Sequence, residues 1–388
     1  MFRTIRWTVL ITALTASQIL AQEQAAEPKG EEAKAPEPTV VIYTRLDEKQ
    51  RAAKVKQMAE RAIAFLRTQQ SEKGDYKSQG DPGTTALITT GLLQHGVKMN
   101  DPIVANALKH LRMFVQPDGG IYRKGSLYRN YETCLAILCF SQANKNGEYD
   151  KVLDRAGKFV KEIQWDIGEE TDPNDPAYGG AGYGKHGRPD MSNTQFMIDA
   201  LHELGTGENT EAMQRALAFV SRSQNLDIGT NDTKFAKLNP DGGFYYTPAA
   251  GGSSQAGTNP NGGLRSYGSM TYAGLKSMLY AGVSQKDPRV KAAVAWLKQH
   301  YDLKENPGMG AAGLFYYYHT FAKALDAMGA KEFVDSDGKK HDWRSELIAE
   351  LANRQRKDGS WLNEHDRWYE SDPSLVSGYV LLALNYCK

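Results

Sequence analysis

Cysteine is nearly missing from this chain, with three residues in 388, and two of them stand five apart in the apolar run "CLAILCF". On one helix that spacing points Cys134 and Cys139 in different directions, so a bridge between them is disfavoured and buried free thiols are expected. A disulfide scaffold is thereby excluded. Blocks of one charge are missing too: 47 basic side chains face 46 acidic ones, with no lysine- or arginine-rich cluster. No nucleic-acid partner is expected from such a balance. No apolar run after the first 21 residues is long enough to cross a bilayer. Glycine is abundant, at 37 residues, but it falls between apolar runs and reads as turns, not as low-complexity sequence.

What is there begins with an address. Arg3 and Arg6 precede "WTVLITALTASQILA", a basic-then-apolar order that reads as a secretory signal over residues 1–21. Export to the periplasm or the outside is the expectation, and retention as a membrane anchor is the alternative. Residues 22–45, rich in Pro, Glu, Ala and Lys, have little to bury and read as a solvated tether. Loss of the signal leaves 45 basic against 46 acidic side chains, a net charge near −1. The folded domain is expected over residues 46–388.

Self-similarity sets its architecture. "AFLRTQQSEKGDY", "LRMFVQPDGGIY" and "LANRQRKDGSW" share a glutamine, a glycine four residues on and an aromatic two further. These are Gln70, Gly74 and Tyr76; Gln116, Gly120 and Tyr122; Gln355, Gly359 and Trp361. Decayed copies follow Phe159-Val160, with Gln164 and Gly168, and Phe219-Val220, with Gln224 and a delayed "NPDGGFYY". In "WLKQHY" Tyr301 stands at the glutamine position. Each copy ends an amphipathic helix, and between the copies lie runs that are apolar around most of their circumference, such as "TTALITTGLL" and "SLVSGYVLLALNYC". Helices apolar all round are buried. Six amphipathic helices alternating with six apolar ones make six hairpins, expected to close into an all-α (α/α)6 toroid. An open solenoid would need polar caps, whereas this chain ends on an apolar helix. The glycine provides the turn after the helix end and the glutamine amide pairs orphan backbone groups there.

These copies resemble the Gln-Trp repeats of squalene and hopene cyclases, and the hairpins resemble the β subunits of protein prenyltransferases, from about Lys49 to the C-terminus. The resemblance implies a toroid with an aromatic central cavity of the type that holds isoprenoid chains. The cyclases' acidic D-x-D-D tetrad does not occur; "DSDG" at 335–338 is the nearest approach and reads as a turn. "YYYHTFAKAL" is similar to the prenyltransferase zinc segment, but only His319 of the three ligands survives. Tyr316 replaces the aspartate, while Tyr267 and Ser269 stand in "SYGSMTYAGL" where an aspartate and a cysteine are needed. Zinc wants about three protein ligands or more, so no metal and no cofactor is expected. A thioester segment, G-C-G-E-Q, is absent.

Asp190 and Ser192 open an inner helix in "GYGKHGRPDMSNTQF", where either serves as its N-cap, and His186, Arg188 and Asn193 stand beside them. "LNEHDRWYESDPS" places Glu364, His365 and Asp366 before Trp368 and Tyr369; an acid there facing Asp190 or Glu132 would make a glycosidase pair. The long polar segment 239–270 has the composition of a mobile rim loop. The expected cavity lining is Tyr131, Glu132, Asn193, Tyr267, Tyr272, Tyr316, Tyr317 and Trp368, with Asp190 and His319 as the candidate catalytic groups. Three functions are open: an enzyme or carrier for an apolar, isoprenoid-like small molecule, a saccharide-acting enzyme with acids at the rim, or an interaction module whose centre is packed shut.

Overall fold

A computed structural model describes residues 43–76, 78, 81–184 and 187–388. The signal segment, the tether up to Ile42 and His186 lie outside the described residues. Six helices carry polar residues on one face and form the outer layer: α1 (Glu48–Gln69), α3 (Pro102–Arg112), α5 (Asp150–Glu162), α7 (Glu211–Arg222), α10 (Pro288–Gln299) and α12 (Trp343–Arg354). Six others are buried over nearly their whole length: α2 (Gly83–Gln94), α4 (Arg129–Ala143), α6 (Met191–Glu203), α9 (Gly268–Tyr280), α11 (Leu314–Ala327) and α13 (Pro373–Asn385). A four-residue α8 (Phe235–Leu238) and a small hairpin, β1 (Phe333–Val334) with β2 (Lys340–His341), decorate the connections.

The inner helices pack in sequence, α2 on α4, α4 on α6, α6 on α9, α9 on α11 and α11 on α13, and α13 returns to α2. The ring is therefore closed, and the fold is an all-α toroid. At the closing seam the two backbones come so near that a side chain would not fit. A Cβ on Gly378 would stand 2.5 Å from Leu87, and one on Gly91 would stand 2.8 Å from Leu381. The C-terminal helix is apolar because α1, α2 and α11 surround it. Cys134, Cys139 and Cys387 are free and buried.

The glutamines tie the outer layer together. Gln70 Nε2 donates to the carbonyl of Gly74 and, at 2.8 Å, to that of Ile103 in the first turn of α3. Gln164 does the same to Gly179 and Ala212, Gln224 to Gly242 and Arg289, and Gln355 to Gly359 and Met58, which joins the end of α12 to α1. Two readings of the repeat change. Gln164 is answered by Gly179, not Gly168, because a 3-10 turn and a loop intervene before the chain returns. In the second copy Gly119, not Gly120, takes the left-handed turn, and Gln116 donates to Phe114 and Tyr122 instead of reaching the next helix.

Gly179 shows why glycine is required. Its φ is +82°, and a Cβ there would lie 1.8 Å from the Arg215 carbonyl oxygen on α7. Left-handed strain plus overpacking sets the expected cost of Gly179→Ala at about 2–5 kcal/mol, read by urea denaturation. Gly96 also has a positive φ but faces open space, so Gly96→Ala should carry the conformational part alone and fall at the low end.

Segment 239–270 is not built as a free loop. Thr247 and Thr258 bridge to Ser253 and Leu264, Thr247 Oγ1 donates to Pro189 O at 2.6 Å, and Phe235, Tyr245 and Leu264 form a small core of their own. Its polar composition serves turn hydrogen bonds. "DSDG" is the turn of the β1–β2 hairpin, with Gly338 N donating to Asp335 O.

Candidate functional site

Up-and-down connection makes the six inner helices parallel, so all six N-termini gather at one end of the ring. There Thr84, Tyr131, Ser192, Met270, Tyr316 and Tyr379, one from the opening turns of each inner helix, surround a basin of about 150 Å³. Loops complete the wall with Tyr128, Tyr183, Tyr246, Gln255, Trp368 and Tyr369. Eight tyrosines in all line this space, with Tyr267 at its side and Phe196 at its base.

The base is a closed circuit of rings. Tyr131 meets Phe196 edge-on at 5.2 Å, Phe196 lies 6.2 Å from Tyr316, and Tyr316 stands 5.9 Å from Tyr379. The Tyr379 hydroxyl returns to that of Tyr131 at 3.3 Å. Four rings from α4, α6, α11 and α13 thus floor the hole. Below them lies a second chamber of about 130 Å³, and Phe196 belongs to both. The single central cavity expected from the sequence is divided in two.

Glu132 is the one carboxyl lining the upper basin among the described residues. It is 3 % exposed, and its oxygens accept from Ser126 Oγ at 2.8 Å and from the Arg123 N–H at 3.1 Å. Burial outweighs these bonds and pushes its pKa up to about 7. Asp190 is spent on structure: its Oδ1 caps α6 through the Asn193 N–H at 2.9 Å, and its Oδ2 accepts from Asn193 Nδ2 at 2.8 Å. Burial, partly offset by those bonds, raises it to about 6. Ser192, the other possible cap, pairs instead with the Tyr316 hydroxyl at 3.2 Å.

Of the residues read from the sequence, Tyr131, Glu132, Tyr267, Tyr316 and Trp368 line the upper basin. Asn193 does not; its side chain serves Asp190. Tyr272 and Tyr317 turn away from the hole into the layer between α9, α11 and the outer helices, where Tyr317 donates to Asp302 O at 2.6 Å and Tyr272 packs on Phe321 at 5.0 Å. A step of one residue along a helix rotates a side chain by about 100°, so only one member of the Tyr316-Tyr317-Tyr318 run faces inward. His319 does not reach the basin either. It lines the lower chamber, where burial first, and then Lys323 and Lys276, lower its pKa to about 3. It is a neutral imidazole at ordinary pH.

The segment before α13 yields a residue that sequence reading missed. Glu364 and Asp366 are exposed, but Glu370 is buried and accepts from the Phe315 N–H at 3.0 Å and the Tyr316 N–H at 2.8 Å. It caps α11, whose own N-cap is Gly313 with no side chain to offer. The same loop holds Trp368 and Tyr369 at φ +59° and +62°, left-handed conformations that cost energy for non-glycine residues. Both rings stand exposed at the basin mouth. Tyr128, Tyr183 and Tyr246, also missed, come from turns; "GYG" and "GFYY" beside glycine pairs were the available signal.

No protein-family model matches the chain, and no curated protein does. Solved structures do. A protein from Actinoplanes is 16% identical, with a TM-score of 0.50 over 86% of this chain and 99% of that one. A polysaccharide lyase, 11% identical, gives 0.52 over 86% and 96%. A family 76 glycoside hydrolase from a bovine Bacteroides thetaiotaomicron strain, 9% identical, gives 0.50 over 85% and 77%. At these identities the likeness is one of fold, and the class it defines is the α/α toroid. No helix among the described residues is long and apolar enough to cross a membrane.

Proposed function

We propose that this chain is an exported toroid that holds a ring-sized or chain-end apolar group of a small ligand in the tyrosine basin, with Glu132 as its proton-handling group. The observation that carries this is the convergence of eight tyrosines, Trp368 and a single near-neutral carboxyl on one closed-bottom space. Pockets for drug-sized ligands measure about 300–1,000 Å³, whereas this basin offers about 150 Å³ above its aromatic floor. A whole isoprenoid chain therefore does not thread the ring; one end of it fits. The strained Trp368-Tyr369 pair fits a rim element that meets the ligand, since unfavourable backbone persists where it serves a site.

A second reading has its own support. Tyrosine and tryptophan faces also stack on sugar rings, Glu132 has the pKa of a general acid or base working near neutrality, and a polysaccharide lyase and a glycoside hydrolase are built on this fold. Hydrolysis needs two carboxyls about 5–10 Å apart, and Asp190 is committed to its cap, so proton transfer by one acid with tyrosine hydroxyls is the saccharide chemistry that fits.

Trp368 is the only tryptophan at the basin among the described residues, so its fluorescence reports occupancy. Titration with short isoprenoid alcohols should quench or shift it, and Trp368→Phe should abolish the signal. A response to neutral or acidic oligosaccharides alone would replace the first reading by the second. No response to either overturns both.

Glu132 makes a pH prediction. Its folded pKa stands above the ordinary carboxyl value, so the folded chain holds this proton more tightly than the unfolded one. The associated stability is present below about pH 4.5 and is lost as pH rises through about 7. Glu132→Gln, neutral at every pH, should melt higher than the parent at pH 8 and show no such advantage at pH 5. An equal difference at both values would remove the buried-proton argument.

A further inference from the structure

Beneath the aromatic floor, the second chamber is lined unevenly. Leu87 on α2, Leu135 and Leu138 on α4 and Leu382 on α13 give one side a mainly hydrocarbon surface, interrupted by the uncharged Thr90 and Gln94 of α2 and Gln142 of α4. The opposite side, from α6 and α11, carries Asp199, His319 and Lys323. Asp199 is fully buried and serves two ammonium groups, Lys276 Nζ at 2.6 Å from Oδ1 and Lys323 Nζ at 2.8 Å from Oδ2. Lys276 also donates to Gln195 Oε1. One carboxylate for two lysines leaves an excess positive charge in the middle of the ring. A buried unbalanced charge is costly unless it is neutralised or paired. His319 adds a second unfinished group: it is 4 % exposed, lines the chamber, and its Nδ1 has no hydrogen-bond partner.

We propose that the lower chamber is a binding site for a short-chain aliphatic carboxylate, its anionic head at Lys323 and His319 and its methylenes against the four leucines. The head supplies the counter-charge that Asp199 alone cannot, and the His319 ring, held neutral, donates one N–H to it. Other titratable groups facing this space are His202 and Glu203 on α6, Tyr280 on α9 and Tyr386 at the end of α13. Glu203 stands at the outer mouth and is exposed, with Gln142 Nε2 on its carboxylate at 3.2 Å. Its repulsion is screened by solvent, whereas the attraction below acts in a low dielectric. The inference does not use the upper basin, and Trp368 is insensitive to it.

The charge balance supports the same reading. Burial drives Lys276 down to about 7 against the pull of Asp199. In Lys323 burial also acts downward as the largest single influence, but Asp199, Tyr386 and Tyr280 together overcome it, so its pKa stands above the ordinary lysine value. Above about pH 7, without an anion, the site sheds its excess charge by deprotonating Lys276. With one bound, Lys276 takes a proton back.

Calorimetry of the full chain with formate, acetate, propionate and butyrate tests this. Affinity should rise about fourfold for each added methylene until the chamber is full, and sodium chloride at equal ionic strength should give no saturable signal. At pH 8, titrations in two buffers of different ionisation enthalpy should show proton uptake on binding. Lys323→Met leaves a balanced Asp199–Lys276 pair, so it should fold normally and lose carboxylate binding at least tenfold. His319→Leu, which changes no charge, should weaken it less. Trp368 fluorescence should not move. Binding that ignores chain length, that persists in both variants, or that proceeds without proton uptake overturns the proposal, as does a parent chain that binds none of the four acids.

Discussion

Replacing Asp199 with leucine is expected to cost the fold about 3–5 kcal/mol at pH 7. The carboxylate is completely buried between α6, α9 and α11, and its removal leaves Lys276 and Lys323 facing each other without a counter-ion. The loss should depend on pH in a defined direction. Without Asp199 both ammonium groups are disfavoured in the folded state, and their pKa values fall below the unfolded lysine value near 10.4. The unfolded chain then binds more protons, so the variant gains stability as pH rises, and its deficit should narrow between pH 7 and pH 9.5. Removing all three charges at once, with Asp199→Leu, Lys276→Met and Lys323→Met, should recover most of the loss, because a well-packed apolar replacement of a buried ion cluster is near neutral. Urea denaturation of the three proteins decides it: a single variant as stable as the parent, or a deficit that does not change with pH, would contradict the account of the core.

This cluster also marks how far the sequence could be read. Asp199, Lys276 and Lys323 lie about two turns into their helices, each a lone charge in an apolar run: "FMIDAL", "GLKSML" and "HTFAKAL". An isolated ionisable residue at the same depth on three inner helices is a visible signal, but its meaning depends on the ring bringing those helices together. The alternation of inner and outer helices was legible because burial on all sides and burial on one side leave different hydropathy patterns. The glutamine tie was legible where the loop is four residues long, as at Gln70 and Gln355. It was hidden at Gln164, whose glycine lies fifteen residues on. The cavity lining was legible only in part. Sequence shows that α11 carries three consecutive tyrosines, but the rotation of that helix is fixed by Glu370 capping it from another loop and by Tyr317 and Tyr318 bonding to Asp302 and Leu303 carbonyls. No local pattern announces those long-range partners.

The floor between the two chambers carries the last and most consequential expectation. Phe196 is 1 % exposed, is the shared wall of both spaces, and touches Tyr131 and Tyr316 in the four-ring circuit. Phe196→Ala should cost about 3–5 kcal/mol from lost burial and from the void it leaves. It should also do something that an ordinary core truncation does not. With the ring gone, the basin above and the chamber below become continuous through the axis of the toroid, and the bore is then long enough for an extended chain. On the proposed function the parent takes only one end of a C15 isoprenoid alcohol, so that alcohol should bind the variant more tightly and raise its melting temperature more than it raises the parent's. Phe196→Leu, which keeps most of the volume, should lose less stability and gain little affinity. If Phe196→Ala is destabilised without any gain for the long chain, the floor is not what limits ligand length, and the size argument for the upper basin fails with it.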